Sequence, residues 1–105
     1  MNINKIMKQA QQMQTQIAKV QEDVAKKTVE GTSGGGMVKV TASGDSKIVS
    51  IKIEPDVLAQ NDKEMLEDLV VAAVNSALDN AKAMSAEEMQ KVAGGFNIPG
   101  LGNLM

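Results

Sequence analysis

The chain has no cysteine, histidine, arginine, tyrosine or tryptophan, and a single phenylalanine, Phe96. Each absence removes a class of chemistry. Without cysteine there is no disulfide framework and no thiolate nucleophile, a usage that fits a reducing compartment. Without histidine and cysteine there is no zinc-type ligand set and no imidazole base. With one aromatic in 105 residues, the core has to be assembled from Val, Ile, Leu, Met and Ala. So thin a core on so short a chain favours oligomerisation. No window approaches the roughly 18 apolar residues of a membrane span, and no signal-peptide pattern follows Lys5 and Lys8.

What is present is charge, unevenly spread. All 11 basic residues are lysines, against 13 acids, for a net charge of −2. The first twenty residues hold Lys5, Lys8 and Lys19 and no acid, whereas the acids gather between Glu54 and Glu88. Bulk charge alone argues against a nucleic-acid partner, but the two halves differ in sign, a basic start against an acidic second half.

Ile3, Ile6, Ala10, Met13, Ile17, Val20 and Val24 are spaced alternately by 3 and 4, and neither Gly nor Pro interrupts them. This is a heptad seam on one helix of about 24 residues, roughly 36 Å long. It lies on the protein's own sheet or also meets another chain. On the opposite face stand Lys5, Lys8, Gln12, Lys19 and Lys26. Lys5 and Lys19 are about 21 Å apart along such a helix, so the row is either an ordinary solvated helix face, the reading that helix periodicity alone favours, or a track for a phosphate backbone.

Residues 28–33 form a weak strand. The runs MVKVTAS and KIVSIKIE alternate apolar and polar, with Val38, Val40 and Ala42 on one face, and Val49, Ile51 and Ile53 on one face. Ser-Gly-Asp-Ser joins them in a tight hairpin, and Pro55 ends the second. Asn61 with Glu64 makes a capping-box-like start for a second long helix with a wide apolar stripe. Ser85 with Glu88 repeats that signature, so the helix bends or restarts there. The order predicts an α+β fold: a long N-terminal helix, a small antiparallel sheet of two to three strands and a long C-terminal helix. Residues 1–93 form a single domain. Residues 94–105 form a flexible Gly- and Pro-containing tail, whose Phe96, Ile98, Leu101 and Leu104 are able to dock on a partner.

Gly34, Gly35 and Gly36 invite a phosphate-loop reading. A Walker loop needs Gly-Lys-Ser/Thr leading into a helix, and the dinucleotide fingerprint also opens a helix. Here a strand follows and no lysine comes directly after, so the glycines are a structural turn or bulge. No side chain is singled out as catalytic, and no cofactor or metal site is predicted. The serines have only carboxylates and lysines for bases, and nothing in the spacing marks a Ser–Lys pair. Glu64, Glu67 and Asp68 open the second helix and suit its dipole, with a hard-cation site as the other reading.

The opening MNINKIMKQAQQMQ, the triple glycine before MVKVTASGDSKIVSIKIEP, the acidic second helix and the ending AGGFNIPGL together resemble the YbaB/EbfC family of bacterial nucleoid-associated proteins. The resemblance covers about residues 1–101. It implies a tweezer-like homodimer that binds duplex DNA in the cytoplasm, associated with the nucleoid, organising the chromosome and influencing expression. It implies no enzymatic activity, cofactor, membrane partner or small-molecule substrate. The alternative is a dimeric interaction module with little direct DNA binding, held together by the seam, the eight methionines and the apolar tail.

Overall fold

The computed structural model describes residues 2–95. Helix α1 (Ile3–Lys26) opens on Asn2, whose side-chain oxygen accepts from the Lys5 amide at 3.3 Å. It ends where Lys27 turns extended, as the apolar seam runs out. Three antiparallel strands follow: β1 (Thr28–Ser33), β2 (Val38–Ser43) and β3 (Ile48–Ile53), in spatial order β1-β2-β3. A short helix α2 (Pro55–Ala59) starts with proline at its first turn, where the missing N–H costs nothing. Helix α3 (Lys63–Gly95) then crosses the sheet.

The sheet has one dry face. Val38, Val40 and Ala42 of β2 are fully buried against Ala73, Ala77 and Ala81 of α3, with Val29, Ile53, Leu69, Val70 and Val74 around them. Alanines at every fourth position present a smooth, narrow ridge. Gly31 on β1 lets that ridge come into backbone contact, because a Cβ there would run into the Ala77 amide and stand 2.7 Å from the Ala73 carbonyl oxygen. Two side chains fasten the same seam: Ser33 Oγ donates to the Leu69 carbonyl at 2.6 Å, and Asn80 Nδ2 to the Glu30 carbonyl at 2.8 Å.

The expected fold class holds, with three strands. The glycines form a single 3-10 turn between β1 and β2, all three at positive φ (58, 67 and 95°). Three details differ from the sequence reading. A register shift between Thr41 and Ala42 leaves Val49 as the extra residue, so Ile48 stands opposite Ala42. The cap of α3 is Asp62, whose carboxylate accepts from the Met65 amide at 3.0 Å, while Asn61 takes a left-handed conformation (φ 52°). Helix α3 runs on through Ser85 without restarting there, and the Glu88 side chain is engaged with Lys27 at 3.2 Å. Gly94 and Gly95 are still helical, and the tail's Phe96, Ile98, Leu101 and Leu104 lie outside the described residues.

Helix α3 alone is about 50 Å long, yet the molecule measures 70 × 25 × 16 Å. Helix α1 therefore extends beyond α3 along the long axis. Its C-terminal part packs on α3 and touches β2, where Val24 is buried beside Gly44 and Met84. The junction is clamped by Lys27, whose Nζ lies 3.2 Å from Glu88 Oε1, with Lys91 at 3.5 Å on the same oxygen. Donation from Lys27 is the main reason that the Glu88 carboxyl is held below its ordinary value.

Candidate functional site

The projecting part of α1 carries two opposed surfaces. At about 100° per residue, Lys5, Lys8, Lys19 and Lys26 fall within roughly 60° of one another, and about 150° from the centre of the apolar seam. All four are exposed, as is Gln12 between them. Their states differ. Lys26 pairs with Glu22 one turn before it, at 3.7 Å. Lys5, Lys8 and Lys19 have no acidic partner within 4.0 Å among the described residues. Three uncompensated ammonium groups on one side of a rod can take phosphate oxygens as point charges, without the planar fork that reads base edges.

The seam behind them changes along its length. Val24 is buried, and Val20, Ile17 and Met13 are half-buried. Ala10 is exposed, Ile6 is 52% exposed and Ile3 65% exposed, with Met7 beside them at 57%. The structure thus covers the C-terminal half of the seam with the chain's own α3 and leaves the N-terminal half open. A second open apolar row lies on β3. Ile48 and Ile51 point to the same side as the buried β2 valines, but α3 packs over β1 and β2, and both isoleucines stay exposed.

The glycine turn carries no chemistry of the kind first suspected. It feeds β2, not a helix, so no helix N-terminus faces it. Among the described residues no group of three or more acidic side chains is placed to hold a metal ion, and no helix is long and apolar enough to cross a membrane. Glu64, Glu67 and Asp68 lie in the first turns of α3, and Glu67 pairs with Lys63 at 3.9 Å. Sequence reading missed the Lys27 clamp and one further juxtaposition. The pairing register sets Lys39 of β2 directly opposite Lys52 of β3 on the sheet's outer face. Only the strand register brings them together, and no spacing within one segment shows it.

Residues 1–96 match the YbaB/EbfC DNA-binding family. A nucleoid-associated protein of Caldanaerobacter subterraneus is 63% identical over 100 residues, covering 95% of this chain and 90% of that one. A nucleoid-associated protein of Desulfotalea psychrophila is 48% identical over 105 residues, covering 100% and 99%. Among solved structures, an uncharacterized protein of Helicobacter pylori shares the fold, with a TM-score of 0.65 at 23% identity, over 90% of this chain and 96% of that one.

Proposed function

The chain belongs to the YbaB/EbfC DNA-binding family, and from that premise we propose that it binds duplex DNA as a homodimer through the lysine face of α1, mainly by phosphate contact. Its place is then the nucleoid, where its relatives are named, with chromosome organisation and gene expression as the processes it touches. The observation that carries this reading is the row Lys5, Lys8 and Lys19, exposed on a projecting helix and without acidic partners among the described residues.

Two open apolar surfaces support the dimer. Ile3, Ile6 and Met7 on α1 and Ile48 and Ile51 on β3 are all at least 40% exposed in the isolated chain. Burying one such side chain is worth about 1.5–3 kcal/mol, a large share of a domain's total stability of about 5–15 kcal/mol. A second copy that covers them doubles the lysine row to six charges. Four neutralised phosphates would give a slope of log affinity against log salt near −3.6, from about −0.9 each. Phosphate contacts carry no sequence information, so unrelated duplexes should bind alike.

The test is a mobility-shift titration at two salt concentrations, beside a light-scattering mass. Lys5→Gln, Lys8→Gln and Lys19→Gln together should abolish most binding, and Lys63→Gln with Lys82→Gln should not. The reverse result means that the surface is misplaced. A mass equal to the 11.1 kDa chain at tens of micromolar rejects the dimer. The same apolar rows favour the second reading, an interaction module. Binding to partners that survives high salt, with neither lysine set mattering for DNA, selects it.

A further inference from the structure

The sheet's outer face, turned away from α3, is ordered by the strand register into rungs. One rung runs Thr32, Lys39, Lys52, and the next runs Glu30, Thr41, Ser50. All six are polar, and all but the half-buried Thr41 are exposed. Side chains directly opposite across antiparallel strands have Cβ atoms about 5 Å apart, and like charges placed so repel. Lys39 has an acid nearby, Glu30 at 3.9 Å, in a pair where both side chains are exposed and the attraction is therefore weak. Lys52 has no acidic partner within 4.0 Å among the described residues. Beside the two lysines the surface is concave: Gly36, Met37, Lys39, Lys52, Ile53 and Glu54 line a hollow of about 370 Å³.

A repulsive pair on a solvated face is relieved by an anion shared between its members. A duplex offers such anions in a regular row, and hydroxyl side chains are among the ordinary partners of its phosphates. We propose that the Thr32–Lys39–Lys52 rung is a second duplex contact: one backbone phosphate sits between the two ammonium groups, with the Thr32, Thr41 and Ser50 hydroxyls as further donors. The contact rests on the DNA-binding reading above and adds a surface that α1 does not provide. The apolar row of β3 lies on the other side of the sheet, so covering it with a second copy leaves this rung open.

The test compares the wild-type chain with Lys39→Gln/Lys52→Gln and with Lys39→Arg/Lys52→Arg, on two unrelated duplexes between about 50 and 200 mM salt. Both positions are exposed, so the Gln pair should keep the wild-type melting temperature and mass. If each protomer loses one phosphate contact, the salt slope flattens by up to about 1.8, and the wild-type advantage shrinks roughly tenfold across that salt range. The Arg pair should restore the slope. Glu30→Gln, which removes the acid nearest Lys39, should tighten binding. A Gln pair with wild-type slope and affinity overturns the rung while leaving the α1 reading standing. So does a loss of affinity with an unchanged slope, or a weaker Glu30→Gln variant. Inorganic phosphate that binds the wild-type chain but not the Gln pair, while duplex affinity and salt slope are the same for both, overturns the duplex assignment in favour of a free anion. Wild-type protein that binds no duplex at all overturns both readings.

Discussion

Gly31→Ala adds one carbon and should strongly destabilise this fold. The added Cβ has no room: it meets the Ala77 amide and lies 2.7 Å from the Ala73 carbonyl oxygen. Both obstacles are backbone in the middle of α3, so no side chain can rotate away. Relief requires α3 to lift off β1, which opens the layer holding Val38, Val40, Ala42, Ala73, Ala77 and Ala81. Overpacking a core costs about 1–3 kcal/mol, and a rigid neighbour puts this site at the upper end, about 3 kcal/mol. For a domain of this size each kcal/mol moves the melting temperature by about 4–8 °C, so the shift should be roughly 12–24 °C. Two other glycines calibrate it. Gly35 has open space where a Cβ would stand but a φ of 67°, so Gly35→Ala costs about 1–2 kcal/mol of backbone strain. Gly94 is helical, and a Cβ there would meet no atom within 4 Å, so Gly94→Ala should gain about 0.5–1 kcal/mol. The assay is thermal unfolding at one fixed protomer concentration, because any dimer makes the midpoint depend on concentration. A Gly31→Ala variant that melts at or above Gly35→Ala refutes the close-contact argument.

Glu88 is held below its ordinary value of 4.5, chiefly by donation from Lys27 and then by the charges of Lys27 and Lys91. A depressed carboxyl stabilises the fold above its unfolded value and loses that contribution as pH falls through the folded one. Stability should therefore drop as pH goes below about 4.5, and Glu88→Gln should flatten that limb; an unaltered acid limb in denaturant titrations counts against the clamp. Asp62→Ala should cost about 1 kcal/mol of helix capping, whereas Asn61→Ala removes no cap, and equal losses in urea unfolding would mean that the cap is misassigned. Ile51→Lys places a charge in the open β3 row, and light scattering should show a shift from dimer toward monomer; an undisturbed dimer moves the interface elsewhere.

Much of this was legible in the sequence, for identifiable reasons. Helix α1 announces itself because seven apolar residues keep 3–4 spacing with no breaker. Strand β2 is plain because Val38, Val40 and Ala42 alternate with polar residues. The β3 bulge is hidden because Ile48 and Val49 are both apolar and β-branched, and only pairing decides which one faces in. Asn61 and Asp62 are both good caps, so composition cannot separate them. Gly31 is overshadowed by the triple glycine, although it is pressed against the α3 backbone. In the site, the lysine face of α1 follows from helical period alone. The pairing of Lys26 with Glu22 is local and readable. The Lys27–Glu88 clamp joins positions 61 apart in sequence, and the Lys39–Lys52 rung depends on register; neither leaves a trace in any single segment.

The fold also resolves how an acidic chain can belong to a DNA-binding family. Charges in water at physiological salt are felt over about 8 Å, so net charge matters less than what lies within that distance of the phosphates. The clamp at Lys27 fixes one end of β1 beside α1, and the Ser33 bond to Leu69 fixes the other end beside the start of α3. Six residues of strand separate these points by roughly 17–20 Å. Asp62, Glu64, Glu67 and Asp68 sit at or before Leu69, and α1 extends in the opposite direction past the end of α3. The acidic end is therefore more than two screening lengths from the nearest part of α1, and farther still from Lys5 and Lys8. The N-terminal part of α1 carries Lys5, Lys8 and Lys19 and no acid before Glu22, so a duplex that approaches there meets lysines almost alone. The same screening keeps the acidic end of α3 from pressing on the proposed α1 contact, and the net charge of −2 describes the molecule without describing the surface that DNA would meet.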